Sequence, residues 1–296
     1  MLRRELVRST KWFPYPNTTT IPKTIHRMKK TAILAAFAAF AVAAVAEDKI
    51  VIKGSDTLGA KLVPQLAEAY KGAGNSVSFE IAAEGSSTAF TALLEGAGDI
   101  GMSSRGIKQK EIDALAAKGM KQVEWLAGFD MIGVIVNEKN PVKNLTKEQI
   151  KSIFVGEVTD WSEVGGPAGP ISIYTRNTSS GTFKAFQEMA MDEKDYSKDA
   201  QMMAGNEQIA QEVGKNANGI GYVGLAFATG EGIKAISVEG VELKAENAKQ
   251  YPIARSLYYY TVEGKLSPAA EKFVKWATTS DDALAIVKKV HFIPAK

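Results

Sequence analysis

The chain has 296 residues, 36 basic against 33 acidic side chains, two histidines and no cysteine. The absence of thiols excludes disulfides, thiolate nucleophiles, Fe–S clusters and cysteine-based zinc sites. Eight of the basic residues and one of the acidic ones fall within the first 46 positions, leaving 28 against 32 and turning a net +3 into about −4 over the rest, a balance without basic runs that speaks against nucleic acid or anionic membrane as partner.

The N-terminal segment is read first. Arg27, Lys29 and Lys30 precede an apolar run over 32–46 that ends Ala44-Val45-Ala46, the pattern of a secretory signal cleaved after a small-x-small motif. Cleavage after Ala46 and a periplasmic location are therefore expected. The run is shorter than the ~20 residues of a spanning helix, and no lipobox cysteine precedes the cut, so no lipid anchor is expected. Met28 stands where an initiator is expected, and residues 1–27 read as a start-site artefact or a disordered leader.

The remainder, about 250 residues, is enough for one large or two small domains. Residues 49–53 form a β-branched strand, 58–70 a helix with Leu58, Leu62, Leu66 and Ala69 on one face, 77–82 a strand and 88–95 a helix. Asp99-Ile100-Gly101-Met102 is a short strand, 110–118 a helix, and 130–137 the most hydrophobic strand, closed by Asn140-Pro141. The helix over 146–154 opens on a capping box of Thr146 and Gln149. A loop rich in glycine and proline separates it from a strand over 171–175 and a helix over 180–191. A helix over 206–214, a strand over 220–223, a strongly β stretch over 251–260 and a helix over 269–278 behind Ser267-Pro268 complete the series.

Alternating strands and helices imply an α/β fold with parallel pairing and right-handed crossovers. Extended segments near 130 and 255 divide the elements into two groups. That predicts two lobes, 47–131 with 255–296 and 132–254, each a sheet flanked by helices and joined by two crossover hinge strands. One continuous doubly wound sheet is the alternative.

Three short stretches carry the chemistry: Gly54-Ser55-Asp56-Thr57-Leu58, Gly85-Ser86-Ser87-Thr88, and Arg176-Asn177-Thr178-Ser179-Ser180-Gly181-Thr182-Phe183. Each reads as a loop opening a helix, where unpaired amides and the positive end of the helix dipole favour an anion. Converging with one arginine, they make a pocket for a small oxyanion. Arginine offers a planar fork for a tetrahedral oxyanion and stays charged, while hydroxyls can donate or accept and so suit a partly protonated ligand. Taken singly, Thr57, Ser86 and Ser180 could equally be mere caps of their own helices.

With Asp99-Ile100-Gly101-Met102-Ser103-Ser104-Arg105 and Gly219-Ile220-Gly221-Tyr222-Val223, the order of these motifs resembles, over nearly the whole mature chain, the PstS-like phosphate-binding proteins of bacterial phosphate ABC importers. The resemblance implies a type II periplasmic-binding-protein fold, inorganic phosphate as ligand, a membrane permease as partner, no cofactor or metal, no enzymatic activity and a monomer. It implies phosphate contacts from Thr57, Ser86, Arg176, Ser180, Gly181 and Thr182. Ser55, Asp56, Ser87, Ser104 and Arg105 in the same motifs complete the expected binding set. Better-known members carry an aspartate where this chain has Ser104, which leaves the acceptor of the phosphate proton open. Asp56 is nominated for it, with Glu84 and Asp130 next.

Other readings stay open beside this one: capture of sulfate or an organophosphate, an envelope phosphate sensor, and a hydrolase using Ser86 or Ser180. The chain has no Gly-x-Ser-x-Gly and no His-Glu-x-x-His, and only His291 remains after cleavage to serve as a histidine base.

Overall fold

Ile50 and Ile52 alternate with outward residues and are fully buried, which sets the first strand, β1 (Asp48–Gly54), into a sheet. The structure is a computed structural model that describes residues 47–295; the leader and cleavage site expected within 1–46 lie outside them. After β1 come two short helices, α1 (Asp56–Gly59) and α2 (Leu62–Gly72), in place of the single helix expected over 58–70. Pro64 explains the break, since in a continuous helix its ring would collide with the carbonyl of Ala60. There follow β2 (Val77–Ala82), α3 (Ser86–Glu95), β3 (Ile100–Ser103) and α4 (Gln109–Ala117).

The next strand, β4 (Gln122–Asn137), is 16 residues long and starts well before the hydrophobic stretch expected over 130–137. Its first half is half-exposed, with Leu126 and Phe129 outward, so its apolar signal is weak. The chain continues through β5 (Asn144–Leu145), α5 (Lys147–Val155), β6 (Ser172–Arg176), α6 (Gly181–Ala190), β7 (Gln201–Met203), α7 (Asn206–Lys215), β8 (Gly219–Gly224), β9 (Ile233–Ala235) and β10 (Ser237–Val238). It ends in β11 (Ala254–Val262), α8 (Pro268–Thr279) and α9 (Asp281–Lys289). Among the described residues no helix is long and apolar enough to cross a membrane.

Among the described residues nine strands form one hydrogen-bonded sheet, eight of them in the order β2-β1-β3-β11-β4-β8-β6-β7 and the ninth, β9, paired with β4 off that path. β1 is parallel to β2 and β3, and β6 is parallel to β7 and β8, as the alternation of elements requires. The long strands depart from the all-parallel expectation: β11 runs antiparallel to β3 and β4, and β4 antiparallel to β8. Partner exchange on β4 is abrupt. Met131 is the last residue in register with β11, opposite Ala254, and Ile132 the first in register with β8, opposite Gly224.

Apolar side chains gather on both sides of this exchange. Ile50, Ile52, Leu66 and Phe273 belong to one buried cluster that also runs across the exchange to Ile135, Ile209, Val213 and Val223, and Ile132, Phe154, Trp161, Phe186 and Tyr222 belong to another. The ends of β1, β2, β3 and β6 where the chain leaves toward a helix carry the motifs, the position at which open α/β sheets take ligands.

Candidate functional site

The first-turn amides of a helix have no partner within the helix. Ser55 Oγ and Ser180 Oγ each accept the third amide of their helix, from Leu58 (3.4 Å) and Phe183 (3.2 Å). The amides ahead of these, at Asp56 and Thr57 and at Gly181 and Thr182, are left pointing from two helix starts toward one region. α1 and α6 come from opposite halves of the sheet, and they meet: Thr57 Oγ1 and Thr182 Oγ1 lie 2.9 Å apart, both buried.

The start of α3 joins them. Ser86 Oγ accepts the Ser104 amide at 3.0 Å and lies 3.2 Å from Ser104 Oγ. Gly181 packs directly against this pair, so closely that a Cβ there would stand 2.6 Å from Ser104 Oγ and closer still to Ser86 Oγ. Nearby, the Ser87 amide donates to the Ser179 carbonyl (3.1 Å) and Ser179 Oγ donates to the Glu84 carbonyl (2.9 Å). Thr57, Ser86, Ser104, Arg176, Gly181 and Thr182 are thus brought into one buried, donor-rich cluster.

Arg176 is 1% exposed. Its Nη1 donates to Asp56 Oδ2 (3.1 Å) and its Nη2 to the Ala204 carbonyl (2.8 Å), while Nε is buried with no protein partner. Burial pushes the guanidinium down from its ordinary value and Asp56 opposes that shift, so the group keeps its charge. Its backbone is held from behind: the Arg176 amide donates to Tyr222 Oη (3.2 Å), which also bonds Thr175 Oγ1 (2.6 Å) and stacks on Phe186 at 4.0 Å. Burial raises the Tyr222 phenol from its ordinary value, which keeps it neutral.

Three expected residues face other tasks. Ser55 Oγ is occupied as a cap. The Arg105 fork grips Glu111 through both Nη atoms, at 2.9 and 2.6 Å, its guanidinium lies 5.1 Å from the Phe90 ring centroid, and its Nε, like that of Arg176, is buried with no protein partner. Ser87 Oγ lies on the flank of that fork, 3.4 Å from Nη2. Arg105→Ala should therefore lower the melting temperature by more than about 5 °C, because it strands Glu111 in a nearly buried position. Phosphate affinity should stay within about threefold, below ~1 kcal/mol. Calorimetric melting beside a phosphate titration checks this; intact melting with a large affinity loss would return Arg105 to the ligand.

Of the carboxylates nominated as proton acceptor, Glu84 is exposed, Asp130 is fully buried against Arg255, and Asp56 Oδ2 is taken up by three donors. Asp56 Oδ1 has no hydrogen-bond partner among the described residues.

Two residues of the cluster escaped the motif reading. Arg255 donates to Asp130 Oδ2 through Nε (3.1 Å) and Nη2 (2.7 Å), to the Ser104 carbonyl through Nη1 (3.1 Å), and reaches Thr57 Oγ1 at 3.4 Å. Asn206, at the start of α7, donates through Nδ2 to Asp56 Oδ2 (2.7 Å) and accepts the Gly224 amide (3.1 Å). Arg255 sits in a strand without a turn or glycine signature and Asn206 behind a single glycine, Gly205, and their partners lie 125 and 150 residues away. No three His, Cys, Asp or Glu side chains converge as a metal site among the described residues.

Residues 41–282 match the family model described as the PBP superfamily domain. The Pseudomonas aeruginosa phosphate-binding protein PstS is 31% identical over 268 residues, covering 82% of this chain and 82% of that one. The Bacillus subtilis PstS is 28% identical and covers 84% of this chain and 81% of its own. Among solved structures, a substrate-binding protein of Clostridium perfringens with bound phosphate is 34% identical, covers 84% of this chain and 100% of its own, and superposes with a TM-score of 0.78. An ABC-type phosphate transport receptor of Vibrio cholerae is 25% identical, covers 82% and 99%, and gives a TM-score of 0.67.

Proposed function

We propose that this chain, which belongs to the PstS-like phosphate-binding proteins of the PBP superfamily, captures inorganic phosphate between two lobes and presents it to the membrane permease of an ABC importer. It is a binding protein, not an enzyme: its buried serines act as donors to the ligand. The observation that carries the reading is the convergence of hydroxyls and amides from three helix starts, with Thr57 Oγ1 2.9 Å from Thr182 Oγ1 and Ser86 Oγ 3.2 Å from Ser104 Oγ, together with the buried Arg176, whose Nε has no protein partner. A dehydrated tetrahedral anion satisfies all of these at once.

In this reading Thr57, Ser86, Arg176, Gly181 and Thr182 hold the phosphate oxygens, with Ser104 beside them and Ser180 fixing the helix that presents two amides. The lobes are 47–131 with 255–296 and 132–254, and they hinge where β4 changes partner. The chain acts as a monomer in the periplasm, delivered by a signal cleaved after Ala46. Because the donors come from both lobes, phosphate favours the closed arrangement by contacts that the open one lacks.

Calorimetric titration of ligand-stripped protein with phosphate and then sulfate tests the assignment, and saturable binding of phosphate in preference to sulfate is expected. Small-angle scattering on the same samples should show a smaller radius of gyration with phosphate bound. An unchanged radius in a sample shown first empty and then loaded would remove the hinge.

A further inference from the structure

Helix α7 starts without a cap of its own. Its N-cap position is Gly205, which has no side chain to offer to the first-turn amides, a position where serine, threonine or aspartate is ordinarily favoured. The missing acceptor arrives from the other lobe: Asp56 Oδ2 accepts the Asn206 amide at 2.9 Å and the Asn206 side-chain amide at 2.7 Å. The same oxygen accepts Arg176 Nη1 at 3.1 Å. Gly205 permits this approach, since a Cβ there would stand 3.0 Å from Asp56 Oδ1. Asn206 is held ready for it by the Gly224 amide on its Oδ1.

We infer that Asp56 is a closure latch, a carboxylate of one lobe that caps a helix of the other and aims its arginine, so that part of the closed state's stability is independent of ligand. The inference rests on the two-lobe phosphate-binding reading above. Its physical content is a difference between states. When the lobes part, α7 loses its only cap and Arg176 its carboxylate partner, and both must turn to water. The contact therefore biases the protein toward the conformation that binds, and affinity rises with the fraction already closed. Asp56 acts here as a positioning residue for Arg176, and phosphate selectivity is set by other groups.

Gly205→Ser separates this role from a purely structural one. Serine supplies α7 with a cap in cis and crowds the carboxylate, so the empty protein should melt no lower than the parent. Phosphate affinity should nevertheless fall about tenfold, because closure no longer gains the cap. Asp56→Asn should weaken phosphate binding by a similar or larger factor and leave the phosphate-to-sulfate ratio unchanged. The double variant should lose no more than Asp56→Asn alone, since both act on one contact.

Additive losses, or a Gly205→Ser protein that binds phosphate as tightly as the parent, overturn the latch. A collapse of the phosphate-to-sulfate ratio in Asp56→Asn overturns it in favour of direct proton acceptance from the ligand. Failure of the parent to bind phosphate sinks the functional reading alone. The latch is then decided by scattering from unliganded protein, which must expand in both variants if the latch holds and stay unchanged if it does not.

Discussion

Replacing Arg176 with alanine should weaken phosphate binding by at least about a hundredfold, more than removal of any single hydroxyl of the site. Charge-assisted bonds from a guanidinium contribute roughly 1.5–3 kcal/mol against about 0.5–1.5 for a neutral hydrogen bond, and ~1.4 kcal/mol is a tenfold change in affinity. Burial enlarges the gap, because Arg176 is 1% exposed and the truncation also deprives Asp56 of its cationic partner. Thr57→Ala, Ser86→Ala and Ser180→Ala each remove one neutral group and should cost about tenfold or less. Arg176→Lys should fall between the two groups, since it keeps the charge and loses the fork. Calorimetric titration of the five variants sets the order. An Arg176→Ala protein that binds as the parent does, or a loss no greater than that of Ser180→Ala, removes the arginine from the site.

Gly181→Ala should show the second large effect, and its sign runs against local propensity. In the first turn of α6 alanine is the better helix former, by up to ~1 kcal/mol over glycine, and Gly181 does not occupy the positive-φ region that would forbid it. The empty protein should melt at the parent's temperature or above. In the arrangement of this structure the added methyl would overlap Ser86 Oγ and Ser104 Oγ, which are tied to each other and to the Ser104 amide and cannot both retreat. Overpacking of this kind costs roughly 1–3 kcal/mol, so affinity should drop by about 10- to 100-fold. The rise in melting temperature produced by saturating phosphate should shrink accordingly. Undiminished affinity in this variant would mean that phosphate is bound in a different arrangement of these helix starts.

Local chemistry announced much of the fold. Thr146 and Gln149 form the expected capping box, Ser267 caps α8 ahead of Pro268, and Ser180 caps α6. These are features whose donors and acceptors lie within a few residues of one another. α9 has the same kind of local signature, with Ser280 as cap, Asp281 and Asp282 in the first turn and Lys288 and Lys289 in the last, but the sequence reading ends at the helix over 269–278 and misses it. β7 and β9 have three residues each, too few for a period to show.

The site divides along the same line. Hydroxyls and amides at helix starts can be read from a motif because the motif itself builds the helix start. Arg255 lies in a tyrosine-rich strand and contributes only because β11 passes between β3 and β4, and Asp130 becomes its partner through that pairing alone. Arg105 shows the converse. It sits in a matching motif, but its fork is claimed by Glu111 six residues on, a pairing that depends on how α4 folds back and that spacing in the strand does not reveal.

The place of β11 in the sheet also bears on when the molecule can fold. β3 and β4 are consecutive strands, yet they do not pair: the strand that fills the gap between them comes from Ala254–Val262, near the end of the chain. Until that segment has been made, β3 and the first half of β4 each present an unpaired edge, and the hydrophobic face they share is incomplete. Contacts of such sequence separation carry a large loop-closure entropy and form slowly. A nascent chain emerging from the ribosome thus stays without a finished sheet for most of its synthesis, and the sheet can close only once its C-terminal part has been made.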